Sequence, residues 1–280
     1  MEKSFLAPAE IAESFIETGC KKTSLSVYKM LILGILGGAF IAFASAGSSA
    51  AVHTIDSVGL AKFLAGTIFS GGLMMVVIAG AELFTGNCLI VISCTERRSS
   101  WARMLKNWLF VYLGNFIGAM LIVFLIRESG QLNMSDGLLG GYTIAVAAKK
   151  TGMTFGGAFS MGILCNWLVC IAIWMAAGAK DITGKILAIF FPIWLFIASG
   201  FEHSVANMYY IPAGILAKTN PAYVDAAISL GVSPEKIDAL NWSSFLSHNL
   251  LPVTLGNIVG GVIFVGLIYY VAYLRREKQV

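Results

Sequence analysis

Charge is scarce in this sequence. Asp, Glu, Lys and Arg make up 12% of 280 residues, where a soluble domain carries about 25%. Together with 58% hydrophobic residues and a mean hydropathy of +0.80, this excludes a soluble globule and predicts a mostly helical integral membrane protein. The regular ten-residue alternation of a membrane β-barrel is also missing; the apolar runs are unbroken. Metal-binding patterns are lacking. The five cysteines (Cys20, Cys88, Cys94, Cys165, Cys170) form no CxxC and have no His at ligand spacing, so they read as small apolar fillers. No metal or other cofactor is expected. There is no second His beside a first and no paired carboxylates at bilayer depth, so an embedded enzyme is not expected. The net charge of +4 lies in the loops, where it orients the chain and points to no nucleic acid. No cleavable leader is expected, because Met1-Glu2-Lys3 leads into an acidic amphipathic segment.

What is present is apolar length. Six hydrophobic units are read at 27–51, 63–93, 105–126, 153–177, 186–216 and 245–274. Ahead of them, Pro8 to Gly19 predicts a short amphipathic helix: Ile11, Phe15 and Ile16 share one face, and Glu10, Glu13 and Glu17 oppose it. It is expected on the membrane surface or under a neighbouring subunit, ended by Cys20-Lys21-Lys22. The chain then divides into this cytoplasmic helix (1–24), a single six-helix pore domain (25–274) and a cytoplasmic tail (275–280). With both termini inside, thirteen Lys and Arg fall on inner segments and six on outer ones, which favours that orientation. The longer outer connections, 128–151 and 218–244, are expected to shape a vestibule.

Two units are too long. Residues 63–93 and 186–216 each run 31 residues, where a span needs about 20. Each carries a polar insertion, Glu82-Leu83-Phe84-Thr85-Gly86-Asn87 in one and Gly200-Phe201-Glu202-His203-Ser204 with Asn207 in the other. Ionisable groups at bilayer depth are costly unless they face a cavity or a partner. Both units are therefore read as helices broken at the midplane, with Glu202, His203 and Asn207 at or beside one break. Further matches suggest two three-helix halves, necessarily inverted. Gly37-Gly38-Ala39-Phe40 is matched with Gly156-Gly157-Ala158-Phe159, and Leu113-Gly114-Asn115-Phe116-Ile117-Gly118 with Leu255-Gly256-Asn257-Ile258-Val259-Gly260. Gly34/Gly38, Gly114/Gly118 and Gly256/Gly260 read as close helix contacts. Asn115, Asn166 and Asn257 read as interhelical hydrogen-bonding groups, or as ties on the broken segments. Two breaks meeting from opposite sides make a pore or transport site. Half-helix N-termini attract anions, and His203 adds a group that titrates near neutrality. His53 and His248 fall near unit ends and are expected to face water.

The string Gly200-Phe201-Glu202-His203-Ser204-Val205-Ala206-Asn207-Met208, with Leu83-Phe84-Thr85-Gly86-Asn87 and Pro252-Val253-Thr254-Leu255-Gly256-Asn257, resembles the formate/nitrite transporter family from Pro8 to Leu274. The resemblance implies an aquaporin-like all-α fold, although the paired Asn-Pro-Ala motifs of aquaporins are absent. It also implies a homopentamer with one pore per subunit, in contact with lipid in a prokaryotic cell membrane. Its cargo would be a small monovalent anion: formate first, with nitrite or hydrosulfide as alternatives, by a channel or by obligate proton symport. The family's central His looks like His203 and its loop Thr like Thr85. Its outer-vestibule Lys is similar to Lys150, with Lys149 as the neighbouring alternative. Glu202 and Asn207 match its polar pair, and Asn166 and Asn257 its buried asparagines. Apolar constrictions would come from Phe69, Leu73 and Phe196 on one side and Leu83, Phe84 and Val169 on the other. Gly86-Asn87 departs from the small hydroxyl residues expected after the loop Thr.

Overall fold

A computed structural model describes residues Phe5 to Arg275; Lys3, Arg276, Lys278 and the tail expected beyond 275 lie outside the described residues. The described residues contain six helices long and apolar enough to cross a membrane. In chain order the elements are α1 (Pro8–Thr23), α2 (Val27–Val52), α3 (Val58–Gly80), α4 (Gly86–Thr95), α5 (Trp101–Glu128) and α6 (Leu138–Thr151). They continue with α7 (Phe155–Gly178), α8 (Ile182–Ser199), α9 (Ser204–Ala217), α10 (Pro221–Ser229), α11 (Pro234–Ala239) and α12 (Trp242–Tyr273). The spans start where the sequence supplies a capping oxygen. Ser26, Ser57, Ser100, Thr154 and Asp181 each accept from a backbone N–H in the first turn of α2, α3, α5, α7 and α8.

Each break follows a long helix. α3 has 23 residues and α8 has 18, each long and apolar enough to cross a membrane. Each ends on a left-handed glycine, Gly80 (φ 89°) and Gly200 (φ 74°), a conformation other residues rarely adopt. The chain then turns back and restarts as a shorter helix, α4 or α9.

The two halves repeat, and packing fixes the register. α2 crosses α5 where a Cβ on Gly114 would lie 2.9 Å from the Cα of Gly34; α7 crosses α12 where a Cβ on Gly256 would lie 3.1 Å from the Cα of Gly162. Gly34 thus corresponds to Gly162. The sequence match of Gly37-Gly38 with Gly156-Gly157 is nine residues out of register. It paired look-alike Gly-rich strings, whereas the crossing selects the glycines that touch a partner backbone. The match of Asn115 with Asn257 holds.

Two further expectations change. α1 runs on to Thr23, and it packs under its own chain. Phe15 stacks on Trp174 with ring centroids 5.2 Å apart, and Gly19 sits against Ser93 of α4. His53 is buried and does not face water: Nδ1 bonds the carbonyl of Ala50 and Nε2 bonds Ser135 in the following connection. His248 is exposed.

Candidate functional site

The two restarts meet. His203 caps α9: its Nδ1 accepts the backbone N–H of Ala206 at 3.1 Å. The other ring nitrogen, Nε2, lies 2.9 Å from Oγ1 of Thr85, the residue before α4. Both side chains are buried. Because Nδ1 is occupied as an acceptor, the neutral ring carries its proton on Nε2 and donates to Thr85. The Thr85 hydroxyl then keeps its own hydrogen to offer elsewhere. A second proton on His203 would point Nδ1–H at the Ala206 N–H and cost α9 its cap.

Each break is held by the same four side chains. At the first, Lys22 reaches Glu82 Oε1 at 2.6 Å, and Asn87 donates to Glu82 Oε2 at 2.7 Å and to Asn107 at 2.8 Å. Asn107 closes the ring by donating to the carbonyl of Lys22. At the second, Lys150 reaches Glu202 Oε1 at 2.8 Å, Asn207 donates to Glu202 Oε2 at 2.7 Å and to Asn249 at 2.6 Å, and Asn249 donates to the carbonyl of Lys150. A buried carboxylate is tolerable only when paired and hydrogen-bonded, and both are. It is Lys150, not the exposed Lys149, that makes this ion pair.

A second layer fixes the loop backbones. Asn115 Nδ2 donates to the carbonyls of Gly34 and Glu82, and its Oδ1 accepts from Phe84 N–H. Asn257 does the same with Gly162, Glu202 and Ser204. They pair loop groups that no helix pairs, beside the bonds from Glu82 N–H to the carbonyl of Leu33 and from Glu202 N–H to that of Met161. Asn166 has no mate. It donates to the carbonyls of Thr85 and Asn257, and the register places Gly38 at its position in the other half.

The apolar residues divide. Phe69 meets Phe196 edge to face at 5.6 Å, and Phe196 lies flat against His203 with centroids 6.1 Å apart. Leu73 and Val169 are buried in the same core. Leu83 lines a cavity of about 360 Å³ on the α1 face, together with Phe15, Lys22, Asn87 and Lys185. Phe84 is buried on the other side of the loop from Leu83. Its ring packs on Trp108 (5.8 Å) and Tyr112 (4.8 Å) and lines a groove between α5 and α12. The reason is local: its N–H is held by Asn115 of α5, so its side chain leaves the loop beside α5 while Leu83 takes the cavity side.

Lys22, Glu82, Asn87, Asn107 and Asn249 were not singled out in the sequence as site residues. Equal spacings mark them: Lys22 to Gly34 equals Lys150 to Gly162, Glu82 to Asn87 equals Glu202 to Asn207, and Asn107 to Asn115 equals Asn249 to Asn257.

The family model described as formate/nitrite transporter matches residues 9–271. The chain belongs to this family. It is 39% identical over 278 residues to a protein named formate channel FocA from Escherichia coli (strain K12), covering 98% of this chain and 96% of that one. It is 36% identical over 294 residues to a probable formate transporter of Methanothermobacter thermautotrophicus, covering 99% and 100%. Among solved structures, one titled pentameric formate channel with formate bound aligns with a TM-score of 0.80 at 37% identity, over 89% of this chain and 98% of that one. Another, titled FNT family ion channel, aligns with a TM-score of 0.79 at 30% identity, over 94% and 98%. The fold, six membrane helices in two inverted halves with the second and fifth broken, is that of these channels.

Proposed function

We propose that this chain is a channel for small monovalent anions, formate first, working as a homopentamer with one aquaporin-like pore per subunit. It would sit in a prokaryotic cell membrane among lipid, with both termini cytoplasmic as the Lys and Arg bias suggests. Residues 25–274 would form the pore domain. The observation that carries the reading is the 2.9 Å contact between His203 and Thr85, where two half-helix N-termini converge in a buried apolar setting. The similarity to proteins named as formate channels supports the same cargo.

In this reading the anion gathers at the half-helix ends, beside the Lys150–Glu202 pair, then meets the Thr85 hydroxyl and the His203 Nε2–H behind it. Phe69, Phe196, Leu73, Leu83 and Val169 form the apolar passage. A bare anion entering it loses its hydration at a cost of many kcal/mol, which a weak acid avoids by crossing with a proton. Neutral His203 orients the anion; it becomes a proton donor only if the Ala206 cap bond gives way. Glu202, Asn207, Asn166 and Asn257 set the position of the loops.

The test is flux into proteoliposomes with formate, nitrite and hydrosulfide across pH. Formate flux that rises as pH falls, and exceeds the other two, is expected. Faster nitrite or hydrosulfide flux would reassign the cargo. Strict one-to-one proton movement under every gradient would make it a symporter. Native mass spectrometry in mild detergent should show five subunits.

A further inference from the structure

The two lysines at the breaks are neutralised by their carboxylate partners. Lys22 is matched by Glu82 and Lys150 by Glu202, both within 2.8 Å. Such a pair has little net field beyond a few ångströms. The cavity on the α1 face contains another cation. Lys185 lines it beside Gly80, Val77 and Phe15. It stands in the first turn of α8, and no ion pair or hydrogen bond involves its ammonium among the described residues. Asp181, one turn earlier, has its carboxylate turned to the N–H of Gly184 as the α8 cap. The cavity walls are otherwise mainly Val76, Val77, Leu83, Leu89, Ile90 and Ile173. Apolar walls focus the field of an unpaired charge along a cleft, and the first turn of a helix adds partial positive charge of the same sign.

We infer that Lys185 is the anion-capturing residue of the α1-face mouth. It draws a small anion into the cavity that Leu83 helps to line, so the half-saturating concentration from that face depends on it. This rests on the anion-channel reading above. It assigns Lys22 a different task, holding the loop through Glu82. The opposite mouth has a lysine in a related place. Lys62, in α3, has its Nζ 3.7 Å from where a Cβ on Gly200 would be, which makes it a control on the other side.

The experiment is flux in vesicles of a single protein orientation, with formate offered from one face at a time. Lys185→Glu should raise the half-saturating concentration from the α1 face about tenfold at low salt, the lower end of electrostatic steering effects. Lys185→Gln should raise it less, and Lys185→Arg should stay near wild type. The shift should shrink as ionic strength rises from about 0.01 M to 0.15 M, where the screening length falls from about 30 Å to about 8 Å. Maximum flux and the half-saturating concentration from the opposite face should not move, and Lys62→Glu should leave the α1-face value unchanged. Lys185→Glu and Lys185→Gln with wild-type values from the α1 face overturn the assignment. So does an equal shift from both faces, which would mean a general charge effect. Wild-type protein passing no small anion at all would overturn the channel reading itself, and with it this one.

Discussion

The two half-helices are built by one plan and finished differently. α9 is a regular helix of 14 residues, started by a side-chain cap from His203. α4 has 10 residues, the first five wound as a tighter 3₁₀ turn, and no side chain caps it, because the hydroxyl of Thr85 is turned to His203. Short 3₁₀ segments have poorer hydrogen-bond geometry, so α4 has less intrinsic stability than α9. The missing support comes from outside. Asn166 holds the carbonyl of Thr85 and Trp108 donates to the carbonyl of Asn87, each from a neighbouring helix. In the other half Gly38 stands where Asn166 would be. The lesson is that a shared bonding scheme fixes where the loops lie, while the unshared groups decide how firmly each is held.

The largest effect should come from the shared scheme. Asn115→Leu and Asn257→Leu each strand one loop N–H and one loop carbonyl in a dry interior, at about 1–3 kcal/mol per group, or about 2–6 kcal/mol in all. Thermal unfolding of the purified oligomer should show similar losses for the two. A loss confined to one variant would break the symmetry argument.

Asn166→Ala tests the asymmetry. It should destabilise α4 locally by about 1 kcal/mol, because the Thr85 carbonyl loses its Asn166 donor and keeps only the longer bonds from Cys88 N–H and the Cys170 thiol. Amide exchange should accelerate over Gly86–Ile90 and stay unchanged at the start of α9. Equal acceleration in both would show that the two half-helices share one cooperative unit.

His203→Asn sharpens the comparison at the point of contact. Asn is a good helix cap, so α9 and the oligomer should survive, but the residue cannot titrate. The pH response of flux should flatten. Thr85→Val should have a smaller effect on it, and the double variant should depart from additivity by about 0.5–3 kcal/mol, as for other contacting pairs. Superimposable pH profiles for wild type and His203→Asn would refute proton handling at this residue and leave it a structural cap.

Lys150→Arg should give the smallest change. It keeps the charge that pairs Glu202, so maximum flux, the half-saturating concentration from the face opposite α1 and thermal unfolding should stay near wild type, whereas Lys150→Ala leaves the buried Glu202 carboxylate unpaired and should cost about 3–5 kcal/mol of stability. Wild-type stability in Lys150→Ala would transfer the pairing to Lys149 or remove it.

Much of this was written in the chain. Scarce charge and long apolar runs determined a six-span helical membrane protein, because a hydrocarbon layer admits few other backbones. The two overlong runs with Glu82 and Glu202 inside them located the breaks. The string from Gly200 to Asn207 located His203. Tertiary structure decided the rest. Which glycines correspond between the halves depends on which ones touch a partner backbone, so the string match slipped by nine residues while the Gly34–Gly114 crossing did not. The direction of the Phe84 ring follows from an N–H held by Asn115, a bond across 31 positions of sequence that no local pattern announces. Lys22 looked like the charged end of a surface helix. It became a partner of Glu82, 60 residues on, because Phe15 and Gly19 seat α1 against its own chain and carry the last turn to the break. Hydropathy is a sum over neighbours in sequence and reads depth well. A hydrogen bond needs two groups within about 3 Å, and only the folded chain brings those groups together.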